Sequence, residues 1–371
     1  MRKRNRIGRR IHFAKARKKR MYILTAIVML EVFAMVLLVA NVHEQSMVDV
    51  SKYVEESADG KKFIKYVEFN ATYDVLCQAY QLDVDTYGKD VHLNWVELLA
   101  YTAARTGGEF GKKSLSILEQ AAKELQTGKK MEELTGKMKY YSYYEQAYDA
   151  VLGGMVGTYK QQKEDGSYEE TYGLMAYSPI AKGFDYNSYD DFGASRSYGF
   201  SRPHQGHDMM GLIGTPIIAV ESGYVEALGW NQYGGWRIGI RSLDGKRYYY
   251  YAHLRQNRPY AEELEEGKVV TAGEVIGYMG HTGYSTTENV NNIKVVHLHF
   301  GMELVFDESQ KDCDNEIWVD CYALTEFLKK NRSEVVRDET TKEWKSVNQI
   351  EDPRVQEYLD EHPDSLSGEE T

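Results

Sequence analysis

The run 295–304 (VVHLHFGMEL) constrains this chain more than any other stretch. It is β-branched and aromatic with few breakers, the pattern of a strand. In a strand, residues i and i+2 point to one face, roughly 7 Å apart. His297 and His299 then share one face, and Leu298 and Phe300 take the other. Such a strand must bury its apolar side and leave two imidazoles on its open side.

Other residues can complete a site there. The string HQGHD supplies His204 and Asp208, with Gly206 between them to permit a tight loop. YYAHL adds His253. Six of the chain's ten histidines fall between 204 and 299. Neutral imidazole and carboxylate are the usual ligands of zinc. Two histidines and one aspartate leave a tetrahedral ion with its fourth position open, the mark of a catalytic site. There are three cysteines, Cys77, Cys313 and Cys321, and no CxxC pair, so a metal must use His and Asp. That donor set favours zinc.

The rest of the chain divides by composition. Residues 1–20 hold eleven Lys/Arg and no acid, although the net charge of the whole is −11. The remainder therefore carries −22, which argues against nucleic acid as a partner. Residues 21–40 are an apolar run of bilayer-spanning length. The basic block before it is a positive-inside signal. We expect a basic cytoplasmic segment over 1–20 and a transmembrane helix over 21–42 that contacts the bilayer, with Glu31 within it. A polar stalk over 43–60 would follow. The expected localisation is a bacterial cell membrane, single-pass, with everything after the span extracytoplasmic.

Apolar residues at three and four spacing predict a helical domain over 61–160, with one helix closed by Gly128. Residues 161–200, rich in Tyr, Gly, Ser and Asp, predict a linker or ordered loop. From 201 to 330 the pattern is β, with a hairpin at Asp244-Gly245 and a closing helix over 318–330. An acidic tail over 331–371 is expected to lack regular structure.

The order HxGxD, then GTPIIAVESGYV, then YAHL, then VVTAGEVIG, then HLHF resembles the lysostaphin-type (LytM-domain) zinc endopeptidases of bacterial cell walls. The likeness covers about residues 200–305. It implies a fold class of mixed type: transmembrane helix, all-α spacer, then a mainly antiparallel β domain of the lysostaphin-type peptidase fold. By motif position it implies zinc ligands His204, Asp208 and His299, with His253 and His297 flanking the reacting water. It implies hydrolysis of peptidoglycan peptides. Arg202, two residues before the first ligand, would order the loop or meet a substrate carboxylate, and Asn231 is a candidate substrate contact. His207 and His281 are expected to lie beside the site rather than in it. The sequence departs from the family in the inserted ENVNNIKV stretch and in Val296 and Gly301, departures that bear on cleavage specificity more than on metal binding. The alternative class is a non-catalytic docking module with an envelope protein as partner.

Overall fold

Two-residue alternation builds the centre of the structure. In the computed structural model, the described residues are 50–56, 62–197, 201–311, 315–347 and 349–363, with Thr25 and Met29. The strand His297–Leu304 lies inside an eight-stranded antiparallel sheet. On one side it pairs with Arg247–Ala252, which continues to Gly235–Ser242, Gly223–Asn231 and Val269–Val270. On the other it pairs with His207–Met210 and Ile317–Trp318, and Asn187–Ser188 follows His207–Met210. The Asp244-Gly245 hairpin forms as expected, Gly245 taking the left-handed φ of +74° that its turn requires.

Alternation sorts the two faces. Leu298, Phe300, Met302, Tyr249, Tyr251, Ile238 and Ile240 are fully buried beneath the sheet. The Phe300 ring lies 5.3 Å from Tyr251 and 6.2 Å from Tyr249. The opposite face carries His299, Tyr250 and Ala252 and becomes the floor of a cleft. Further along that face sits Glu303, opposite Tyr248 and Trp318. It is 5% exposed, and its Oε1 has no hydrogen-bond partner among the described residues.

Burial, and then the charge of Glu316, push the Glu303 carboxyl up to about 7. Its folded-state value is above the ordinary glutamate value near 4.3, so its protonated form is the one folding favours. Stability is fully present below that ordinary value and is lost as pH rises toward 7 and beyond. Glu303→Gln is therefore expected to be the more stable protein at pH 8, by on the order of 2 kcal/mol, and equal to the parent near pH 4. Denaturant melts across that range check the slope.

The helical part starts at Tyr73–Thr86 and continues through Trp95–Thr106, Ser114–Gln126, Met131–Thr135 and Tyr141–Leu152. Asn94 Oδ1 caps the second of these, accepting from the Val96 and Glu97 amides. The closing helix is Tyr322–Leu328, shorter than the pattern predicted, and its Phe327 packs edge-on against Tyr80 of the first helix at 5.4 Å.

Several expectations need correction. Among the described residues no helix is long and apolar enough to cross a membrane, so the observed architecture contains no transmembrane helix. Residues 1–24, 26–28 and 30–49, where the basic segment, the span with Glu31 and most of the stalk were expected, lie outside the described residues. Cys313 also lies outside them. The helices do not form a free-standing spacer, because Val50–Thr371 is one compact unit. A hairpin, Tyr168–Leu174 on Val156–Gln162, runs from the end of the expected helical domain into the expected linker, and the expected unstructured tail adds a third strand to it, Ile350–Glu351. The tail also forms the hairpin Val335–Arg337 with Trp344–Ser346 and the helix Pro353–Glu361.

One buried ion cluster joins these parts. Arg247 is fully buried, and its Nε and Nη2 donate to Glu221 at 2.9 and 3.1 Å. Its Nη2 also reaches Asp244 Oδ2 at 3.0 Å, and its Nη1 donates to the Ala150 carbonyl at 2.8 Å, near the end of Tyr141–Leu152. Glu221 further accepts from Tyr249 Oη at 2.6 Å and from Arg354 of the last helix at 3.2 Å.

Candidate active site

Strand register assembles the site. His299 stands directly opposite Asp208 on one neighbouring strand and Ala252 on the other. His207–Met210 alternates as well, so His207 and Met209 are buried while Asp208 faces the cleft. His204 enters from the loop before it. Its Nε2 lies 3.0 Å from Asp208 Oδ1 and 3.0 Å from His299 Nδ1, and His299 Nδ1 lies 3.0 Å from Asp208 Oδ1. Three donor atoms thus form a triangle, and these are the residues whose ligand atoms all fall within 4.8 Å of one another. A point above such a triangle can be about 2.0–2.2 Å from each corner, the usual zinc–ligand length. The donor set of two imidazoles and one carboxylate fits that ion.

Gly206 is needed here because of space. A Cβ at this position would lie 2.6 Å from His299 Cε1 and 2.7 Å from the Phe300 carbonyl oxygen. Gly206→Ala is expected to push the His299 ring out of the triangle, weakening zinc binding about tenfold and stability by about 1–3 kcal/mol. Metal titration and a thermal melt of the same sample separate the two effects.

Electrostatics follow the geometry. Burial alone would raise the Asp208 carboxyl, but hydrogen bonds with His204 and His299 and the nearby imidazoles hold it far below the usual carboxylate range. Burial would lower His204, yet the Asp208 bond and charge outweigh it and leave it raised. In His299 burial wins, and the imidazole is shifted down toward its neutral form.

The other two histidines overlook the triangle. His297 Nε2 is 3.8 Å from Asp208 Oδ1, and its Nδ1 donates to the Val295 carbonyl at 2.8 Å. A carbonyl can only accept, so that proton is on Nδ1 and Nε2 is left open in the neutral ring. The same logic applies to His253, whose Nδ1 donates to the Thr282 carbonyl at 3.0 Å. The His253 ring lies 4.7 Å from that of His297 and 5.9 Å from that of His299. Burial, with His297 and His299 beside it, pushes His253 well below the ordinary histidine value.

Strand alternation does not explain how His253 gets there. Tyr249 and Tyr251, which period-two alternation would put on the same face as His253, are buried in the core, while Tyr250 lines the cleft. His253 follows the end of Arg247–Ala252 and adopts φ +63°, which turns its ring back over the cleft. A left-handed histidine is costly and is held here by its surroundings.

The cleft encloses about 1010 Å³. Arg202 lines it, donating to Tyr284 Oη at 2.8 Å with its guanidinium beside the Tyr233 and Tyr284 rings. Asn231 lines it too, but its side chain is committed elsewhere. Its Oδ1 accepts from the Tyr233 and Gly234 amides, and its Nδ2 donates to Tyr250 Oη at 3.2 Å. His207 lies under the sheet against Thr325, and His281 holds the Ile293 carbonyl at 2.7 Å. The insertion is pinned through Asn289, which accepts from Trp236 Nε1 at 2.9 Å, and Ile293, Lys294 and Val295 wall the cleft.

Sequence reasoning passed over Asp191 and Arg196. Asp191 Oδ1 lies 3.1 Å from His204 Nδ1, and Arg196 binds Asp191 while its Nη2 sits 3.5 Å from Asp208 Oδ2. The only signal was an acid and an arginine in a Tyr-rich, Ser-rich stretch without periodicity.

Comparisons with known proteins agree on the family. The peptidase family M23 profile matches residues 202–312. The L-Ala–D-Glu endopeptidase of Bacillus subtilis is 37% identical over 124 residues, 33% of this chain and 36% of that protein. Lysostaphin of Staphylococcus simulans is 39% identical over 98 residues, 26% of this chain and 17% of that protein. The chain thus spans little more than a third of the first relative's length and under a fifth of the second's. A crystal structure described as a glycyl-glycine endopeptidase LytM of Ruminococcus gnavus superposes with a TM-score of 0.50 at 25% identity, covering 73% of this chain and 92% of that one. Residues 202–312 thus form a domain similar to those of peptidase family M23.

Proposed function

We propose that this protein is a zinc endopeptidase that hydrolyses peptide bonds of peptidoglycan outside the cytoplasm. One observation carries the reading: the ligand atoms of His204, Asp208 and His299 meet at 3.0 Å separations on the floor of an open cleft, under two imidazoles. Relatives named L-Ala–D-Glu endopeptidase and glycyl-glycine endopeptidase support a peptide substrate.

Zinc, held by His204, Asp208 and His299, would polarise the scissile carbonyl and lower the pKa of water to about 7. The chain's own groups do the rest. His297 presents an open Nε2 that stands 3.8 Å from Asp208 Oδ1, beside the metal ligands. It takes the proton from the attacking water and returns it to the leaving amine. His253, kept neutral by burial, accepts a hydrogen bond at Nε2 and orients that water. Arg202, steadied by Tyr284, faces the cleft where it meets a substrate carboxylate.

The test is digestion of purified peptidoglycan. With zinc present, new amino termini should appear and mass spectrometry should place them at one type of peptide bond. Chelation should stop their release and added zinc should restore it. If termini do not increase over a buffer blank, the reading is wrong.

A further inference from the structure

The histidine that enters from the loop is held from behind. His204 turns Nε2 toward Asp208 and His299, so its second ring nitrogen faces away from the cleft floor. That nitrogen, Nδ1, lies 3.1 Å from Asp191 Oδ1. A carboxylate only accepts, so with Nε2 given to a metal the one remaining ring proton would sit on Nδ1 and be donated to Asp191. Backbone bonds fix the same contact. The His204 amide donates to the Ala194 carbonyl at 2.9 Å, and the Gly193 amide donates to the His204 carbonyl at 2.7 Å. Asp191 is itself held by Arg196. The same guanidinium lies 3.5 Å from Asp208 Oδ2 and leaves Oδ1 to face the two imidazoles.

We infer that Asp191 is a positioning residue of the metal centre, locking His204 in its Nδ1–H form, with Arg196 coupling it to Asp208. The inference rests on His204 being a ligand, as proposed above. Both residues lie before residue 202, where the family match begins. The upstream segment is therefore part of the centre rather than a lead-in to it. Outer carboxylates that accept from a ligating histidine fix ring orientation and raise its basicity, and their loss commonly lowers metal affinity 10–100-fold.

The experiment uses the full chain, stripped of metal and titrated with zinc against a chromophoric chelator. Asp191→Ala should bind zinc about 10–100-fold more weakly, and Asp191→Asn, which keeps an acceptor oxygen but no charge, should fall between. NMR spectra of the zinc-loaded protein should show the His204 Nδ1–H protected from solvent exchange in the parent and exchanging fast in Asp191→Ala. A merely structural role would leave that signature unmoved. If Asp191→Ala does not fold, Asp191→Asn and its spectrum carry the test. Zinc affinity within twofold of the parent, or an unchanged Nδ1–H exchange rate, overturns the inference. His204→Ala separates the two claims: if it loses zinc while the Asp191 variants do not, only this inference fails. If it keeps zinc, the ligand assignment fails with it.

Discussion

His299→Ala is expected to empty the metal centre, whereas His297→Ala, two residues away on the same strand, should keep its zinc and lose its rate. Removing His299 takes one corner from a triangle with 3.0 Å edges and leaves two ligands, too few for a stable site. Metal content of the purified protein should drop to background and peptide release with it. His297 stands farther off, with Nε2 3.8 Å from Asp208 Oδ1, and its assigned work is proton transfer. Its loss should lower kcat by about 10²–10⁴-fold with metal content unchanged. Metal analysis and single-bond hydrolysis rates on the same preparations decide it. Equal zinc loss in both variants would show that the two histidines do not divide the work.

The second large effect concerns stability. Glu221→Ala should destabilise the fold by about 3–5 kcal/mol, because it strips the principal counter-charge from a fully buried guanidinium. Asp244 remains, at 3.0 Å from Arg247 Nη2, but it is itself partly exposed. The hydroxyl of Tyr249 would lose its acceptor in the same step, and the guanidinium of Arg354 would keep only Asp352. The double variant Glu221→Leu with Arg247→Met should recover part of the loss, since it removes both charges together. Recovery stays partial because the Ala150 carbonyl loses its donor. Urea unfolding of the three proteins measures the differences.

The strand logic was legible in the sequence because it depends only on period two. His297 and His299 on one face, Leu298 and Phe300 on the other, and the Asp244-Gly245 hairpin need no knowledge of partners. His253 was legible from its motif but not from its geometry, since a single left-handed residue reverses a side chain without changing the pattern. The Asn231 side chain looked available but is consumed by its own turn, a local contact that composition does not reveal. Short strands such as Ile350–Glu351 carry no periodic signal, because they exist only by pairing with a distant partner. Asp191 and Arg196 were hidden for the same reason: they act through tertiary proximity to His204 and Asp208.

Ile350 and Arg354 come late in the chain, yet the first packs with Tyr177 and Ile218 and the second binds Glu221. The order of synthesis therefore matters. A nascent polypeptide that has emerged only as far as Leu304 already holds every histidine of the cleft but lacks the closing pieces of its interior. Completion must wait for translation of residues 350–354, and until then apolar surface that Ile350 covers stays open to solvent.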